Sequence, residues 1–81
     1  MSDVMHSAEQ SRFTSGAAYL AYARSGQTLT IEHTLVPPES EGQGVGGALV
    51  AAAVAFARAE ALEVAATCSF ARSWLERHPG A

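Results

Sequence analysis

Lysine is absent from this chain of 81 residues, and its five basic side chains are all arginines. The eight acidic residues outnumber them, which leaves a formal net charge of −3 with histidine neutral. The arginines are spread along the chain and form no cluster or stripe. Because binding to a phosphate backbone depends on concentrated positive charge, the sequence argues against nucleic acid as the main partner.

Cysteine and long apolar segments are also scarce. The one cysteine, Cys68, excludes an intrachain disulfide and suits a reducing compartment. Residues 1–6 lack the apolar segment of a signal peptide. The longest apolar run, residues 48–57, is shorter than the roughly 20 residues that a membrane-spanning helix needs. These absences predict a soluble, cytoplasmic protein without a membrane partner.

Alanine supplies much of the apolar content, which is 48% of the chain. Alanine packs closely but removes little apolar area from water. We therefore predict one small domain over residues 12–81 with a modest core, preceded by a flexible polar lead-in over residues 1–11. A bound cofactor, a homodimer or a partner protein would add to the stability of such a domain.

Hydrophobic periodicity predicts an α+β (α/β) fold in which three antiparallel strands precede a helix, a strand and a second helix. The predicted elements are strands over 12–14, 17–23 and 27–36, a helix from about 44 to 61, a strand over 62–67 and a helix over 70–77 capped by Ser69. Because side chains alternate along a strand, four residues of the third strand are expected on one face. These are Leu29, Ile31, His33 and Leu35.

The segment between the third strand and the first helix contains two prolines and then four glycines. The prolines end the strand, since they cannot donate a ladder hydrogen bond. The glycines are Gly42, Gly44, Gly46 and Gly47. Glycines let a backbone approach a ligand closely, and a helix N-terminus presents free N–H groups and a positive dipole end. This combination favours binding of a phosphate or pyrophosphate.

Two common phosphate-binding motifs do not fit this junction. Residues 42–47 match the G-x-G-x-x-G spacing, but residues 37–41 separate them from the strand, whereas the dinucleotide motif follows a strand directly. Thr67 and Cys68 also stand where a ribose-binding acid is expected. No Lys-Ser/Thr pair follows the glycines, which excludes the mononucleotide P-loop.

The junction resembles the pyrophosphate loop of the GNAT N-acetyltransferase superfamily, whose signature is Arg/Gln-x-x-Gly-x-Gly/Ala. Gly44-Val45-Gly46 matches the end of that signature, and Glu41 stands at the Arg/Gln position. Three further segments are similar to those of the small single-domain GNAT-like proteins. They are His33-Thr34-x-Val36-Pro37, Cys68-Ser69-Phe70 and Arg77-His78-Pro79. The resemblance covers residues 12–79, nearly the whole chain.

This resemblance implies a minimal GNAT-like fold that binds acetyl-coenzyme A. The expected pyrophosphate contacts come from Glu41, Gly42, Gln43, Gly44, Val45, Gly46 and Gly47. Leu35 and Val36 are expected to supply the backbone N–H that polarises the thioester carbonyl, and Cys68 and Phe70 to lie near the acetyl end. Because Glu41 replaces a basic or amide side chain, binding is expected to depend on backbone amides and the helix end.

His33 and Cys68 are the candidate catalytic residues. His33 is suited to act as general base on the incoming amine, because imidazoles titrate near neutral pH, and a structural histidine is the alternative. Cys68 is suited to accept the acetyl group, to protonate the leaving thiolate or to serve as a small buried hydrophobe. The histidines and the cysteine show no metal-ligand spacing, so no metal is expected.

The resemblance predicts an N-acetyltransferase that moves an acetyl group from acetyl-coenzyme A to an amine on a small molecule or protein. The chain is short for the acceptor pocket of larger GNAT domains, so the acceptor side is expected to be open or completed by a partner or a second copy. The alternative is a non-catalytic module that binds coenzyme A or acetyl-coenzyme A as a sensor or within a complex. The lack of a tyrosine after the loop, which many GNAT enzymes use as general acid, supports that alternative.

Overall fold

Five strands and two helices make up the computed structural model, which describes residues 4–79. The strands are β1 (Met5–Ser7), β2 (Arg12–Ser15), β3 (Ala18–Ser25), β4 (Thr28–Leu35) and β5 (Glu63–Ala66). The helices are α1 (Val45–Ala59) and α2 (Ser69–Arg77), and a short 3₁₀ turn lies over Pro38–Ser40. The predicted α+β fold class is confirmed.

The strands form one mixed sheet in the order β1-β2-β3-β4-β5. The first four are antiparallel to their neighbours, whereas β5 is parallel to β4 because α1 carries the chain back along the sheet. This crossover places the glycine-rich loop between the end of β4 and the start of α1. The loop therefore lies at the carboxyl ends of β4 and β5.

The core lies between α1 and one face of the sheet. Leu20, Leu29 and Ile31 are fully buried on the strands, as are Leu49 and Val50 on α1. The other buried apolar residues are Phe13, Ala18, Tyr22, Val45, Ala53, Val54, Ala57, Leu62 and Ala71. Every buried strand residue described belongs to this one face, as the alternation of buried and partly exposed positions in β3 shows.

A first strand occurs where the sequence predicts only a lead-in. Residues 5–7 form β1, which pairs with β2 so that His6 lies opposite Phe13. The two rings stack at a centroid distance of 4.1 Å, and the His6 Nε2 atom lies 2.7 Å from the Tyr22 hydroxyl oxygen. Three residues are too short for a periodic signal, so the sequence contains no pattern from which this strand could be predicted.

The element boundaries differ slightly from the predicted ones. Helix α1 ends at Ala59, and the capping residue of α2 is Cys68 rather than Ser69, which is already helical. Helix ends are the least certain part of a sequence-based assignment, because one turn more or less changes few contacts. None of the helices described in residues 4–79 is both long and apolar enough to cross a membrane.

Candidate functional site

The strands β4 and β5 are paired over only half the length of β4. Residues 28–31 pair with residues 63–66, and the amides of Thr67 and Cys68 then approach the Ile31 carbonyl oxygen at 3.0 and 3.4 Å. In the part of the chain that the structure describes, residues 32–35 of β4 have no partner on the β5 side. We call this unpaired region the β4–β5 gap. Its free strand edge offers backbone donors and acceptors to an extended ligand.

A β-bulge in β4 lies at the start of the gap. Tyr22 of β3 is opposite Ile31, but Ala21 is opposite His33, so Glu32 is an extra residue without a partner on β3. An extra residue reverses the alternation of side chains beyond it. Thr34, opposite the buried Leu20, therefore faces the helices.

Because of this bulge, the predicted facing of His33 is wrong. Leu29 and Ile31 face the core as expected, but His33 and Leu35 lie on the opposite, open face of the sheet, where both are exposed. Cys68 packs against the core and is 3.7 Å from the Thr34 hydroxyl oxygen, which places it on the helix side. The two predicted catalytic residues therefore lie on opposite faces of the sheet and form no cysteine–histidine pair.

Helix α1 begins without a side-chain cap. Its N-cap residue is Gly44, whose φ of 76° is in the left-handed region that favours glycine. The first hydrogen bond of the helix runs from the Ala48 amide to the Gly44 carbonyl oxygen, at 3.0 Å. The amides of Val45, Gly46 and Gly47 come before it and have no carbonyl partner within the helix. These N–H groups and the positive dipole end favour an anion at this position.

A cavity of about 410 Å³ joins the β4–β5 gap to the start of α1. Its walls come from the end of β4, the glycine-rich loop, the first turn of α1 and the first turn of α2. The lining residues are Thr34, Val36, Ser40, Glu41, Gly42, Gly44, Val45, Gly46, Gly47 and Phe70. None of these lining residues is basic. The partial positive charge that an anionic ligand would meet here therefore comes from backbone amides.

The aromatic ring of Phe70 packs directly on the backbone of α1. A Cβ atom on Gly46 would lie 2.7 Å from Phe70 Cζ and 3.2 Å from Val36 Cγ2. Non-bonded carbon atoms require about 3.5 Å, so only glycine at this position allows the ring to lie so close. Gly47 is similarly covered, because the Trp74 Nε1 atom is 3.2 Å from its Cβ position. The two glycines thus let α2 pack against the beginning of α1.

Cys68 occupies the N-cap position of α2 and is partly buried. Burial opposes ionisation, but the backbone amides of Ala71 and Phe70 and the hydroxyl of Thr34 stabilise the negative charge and outweigh it. The pKa of the thiol is therefore lowered. As a neutral thiol, Cys68 makes no side-chain cap hydrogen bond to α2 and donates its proton toward Thr34.

Most of the predicted cofactor-binding residues meet at the cavity. Val36, Glu41, Gly42, Gly44, Val45, Gly46, Gly47 and Phe70 all line it, whereas Leu35, Gln43 and Cys68 do not. Leu35 is 47% exposed on the open face, which again follows from the bulge. Thr34 and Ser40 line the cavity and were not predicted as site residues. Thr34 stands within the predicted H-T-x-V-P motif, but its orientation depends on a bulge that no spacing reveals.

A family model described as GCN5-related N-acetyl-transferase matches residues 8–81. This chain belongs to that family. Among solved structures, a GCN5-like protein from Staphylococcus aureus, determined in solution by NMR, superposes with a TM-score of 0.77. It is 31% identical in sequence, and the match covers 94% of this chain and 79% of that one. A comparison with curated proteins gives no match.

Acetyltransferases of the GCN5-related family generally use acetyl-coenzyme A, whose pyrophosphate is an anion. The amides at the start of α1 have no partners within the helix. Among residues 4–79, no group of three or more His, Cys, Asp or Glu side chains could hold a metal ion.

Proposed function

We propose that this protein transfers an acetyl group from acetyl-coenzyme A to an amine. The observation that carries the proposal is the continuity of the β4–β5 gap with the amides at the start of α1. Thr34 and Val36 belong to both, since they lie in or just beyond the gap and line the cavity that reaches Gly46. A long ligand with a phosphate group at one end and an amide-containing arm matches this path.

The proposed cofactor contacts are divided between the two ends of the path. The pyrophosphate is assigned to the backbone amides of residues 44–47, and the pantetheine arm to the free edge of β4 at residues 34–36. A backbone N–H at Leu35 or Val36 is assigned to the thioester carbonyl, whose developing negative charge it would stabilise. Phe70 forms the wall beside this path.

The amine acceptor is proposed to approach from the open face of the sheet. His33 is exposed on that face at the edge of the gap, where it can remove a proton from the amine. Cys68 lies on the helix side, near the other wall of the gap. This separation favours direct transfer to the amine over a two-step mechanism in which His33 activates the thiol.

Calorimetric titration with acetyl-coenzyme A tests the binding step. We expect Glu41→Arg to bind more tightly than the wild type, because it replaces a carboxylate at the cavity by the cation that the superfamily signature carries there. Glu39→Arg is the matched control: it makes the same change of charge on an exposed residue of the 3₁₀ turn that immediately precedes Glu41, and Glu39 does not line the cavity. Equal effects of the two variants, or weaker binding of Glu41→Arg, would contradict the assignment.

A second candidate function is that of a non-catalytic coenzyme A-binding module. It is favoured by one observation: both tyrosines lie in β3 and neither lines the cavity, so no phenol is placed there as a general acid. Incubation with acetyl-coenzyme A and polyamines or lysine-containing peptides distinguishes the two functions. Release of free coenzyme A that is lost in His33→Ala would support the enzyme. Tight binding without release in any variant selects the module.

A further inference from the structure

The Cys68 thiol donates a hydrogen bond to the Thr34 hydroxyl oxygen, with the sulfur and oxygen atoms 3.7 Å apart. The two residues lie in different parts of the chain: Thr34 is near the end of β4, and Cys68 follows β5 and caps α2. Their contact therefore spans the β4–β5 gap at the level where backbone pairing has already ended. This side-chain contact joins the two segments at a level where backbone hydrogen bonds no longer do.

The direction of this contact can reverse. The neutral thiol donates its proton to the Thr34 oxygen, whereas a thiolate is an acceptor only. Because a hydroxyl both donates and accepts and turns freely about its C–O bond, Thr34 can donate to the sulfur once the proton has left. Hydrogen bonds to an ionised partner are about twice as strong as neutral ones, so this reversal favours the ionised sulfur.

We propose that Thr34 is a positioning residue for Cys68: its hydroxyl holds the sulfur at the β4–β5 gap and stabilises the thiolate. Thr34 is fitted for this role because its backbone is fixed opposite the buried Leu20 and its side chain also lines the cavity. Any use that the proposed acetyl transfer makes of Cys68 would then depend on Thr34. In that respect the inference rests on the proposed function.

The pH dependence of Cys68 alkylation by iodoacetamide tests the pair directly. Cys68 is the only cysteine of the chain, so the measured rate belongs to one thiol. Thr34→Val keeps the shape and removes the hydroxyl, and we expect it to raise the midpoint of alkylation by about one pH unit, the equivalent of one hydrogen bond to a charged group. Thr34→Ser keeps the hydroxyl, and we expect a midpoint close to that of the wild type.

Thr30→Val is the matched control. Thr30 lies on the same strand but on the open face, opposite Ala23, and makes no contact with Cys68 among the hydrogen bonds described. Its substitution should leave the midpoint unchanged. If Thr34→Val leaves the midpoint unchanged, or if Thr34→Ser moves it as far as Thr34→Val does, the proposal is wrong, because the effect would then come from packing. Thr34→Ala replaces Thr34→Val if the latter shows no cooperative thermal transition.

The pH profile of acetyl transfer in the same variants separates this inference from the proposed function. Where Cys68 contributes a limb to the profile, Thr34→Val should move that limb upward by the same amount as the alkylation midpoint. A shifted alkylation midpoint supports the pair even if no variant transfers acetyl groups, which would count against the proposed function alone. An unshifted midpoint overturns the pair even if every variant is active.

Discussion

The Phe70 ring lies over Gly46, with its Cζ atom 2.7 Å from the position that a Cβ atom of residue 46 would occupy. Phe70 is 40% exposed and lines the cavity, so part of the ring is not packed against protein. An added methyl group at residue 46 would therefore displace the ring rather than the helix. The space into which the ring can turn includes the cavity assigned to acetyl-coenzyme A.

Gly46→Ala is expected to weaken binding of acetyl-coenzyme A about tenfold, which corresponds to about 1.4 kcal/mol. Its effect on stability should be small, since the gain in helix propensity of about 1 kcal/mol offsets the crowding. Calorimetry and thermal unfolding measure the two effects. In a Phe70→Ala background the same substitution should change affinity far less, because the displaced ring is gone. An undiminished effect there would show that Phe70 is not the obstacle.

Gly44→Ala is expected to lower the free energy of unfolding by about 1–2 kcal/mol. The cause is conformational alone, because φ is 76° and no atom lies within 4 Å of the added Cβ. Gly44→Asn should lose less, since asparagine adopts the left-handed region more readily and is a good N-cap residue. Urea denaturation of both variants provides the comparison. Equal losses would mean that the left-handed conformation is not the source of the effect.

Tyr22→Phe is expected to lower the free energy of unfolding by about 1 kcal/mol, because it removes the hydrogen bond to His6. In a His6→Phe background the same substitution should have little effect, since the partner is already absent. Tyr19→Phe serves as the control, because no hydrogen bond to the Tyr19 hydroxyl is described. A double variant whose loss equals the sum of the two single losses would show that the bond does not hold β1 to the sheet.

The Cys68 thiol is expected to react with iodoacetamide at a lower pH in the folded protein than in urea. Its pKa is lowered from the ordinary value of 9.0. Between the folded pKa and 9.0 the unfolded chain binds more protons, so the free energy of unfolding should rise with pH across this window and lose this contribution as pH falls through the folded pKa. Cys68→Ser should abolish this slope. Identical midpoints in the folded and unfolded chains would contradict the lowered pKa.

Much of the sheet and the cavity could be predicted because the signals are local. The alternation of Leu20 and Tyr22 predicts β3, and the glycines that precede an Ala/Val/Leu segment predict the start of α1. The glycine-rich residues and Phe70 do meet around one cavity. These features depend on neighbours in the chain, which a single sequence contains.

Other features depend on contacts between distant residues and could not be predicted. β1 is held by rings of Phe13, Tyr22 and Phe56 around His6, which lie on three other elements. The contact between Thr34 and Cys68 joins residues 34 positions apart. The predicted facing of His33 is wrong for a different reason: side chains do not alternate strictly through a strand in which Glu32 has no partner.

Because of the bulge, β4 has one residue, Glu32, more than its pairing with β3 requires. Loss of a single codon there would remove the bulge but keep His33 opposite Ala21 and Thr34 opposite Leu20, so both residues would stay on their present faces. Substitutions at Glu32 leave this arrangement in place, because the backbone count and not the carboxylate produces it. In the evolution of this strand, both deletion and replacement of residue 32 therefore leave the facing of His33 and Thr34 unchanged.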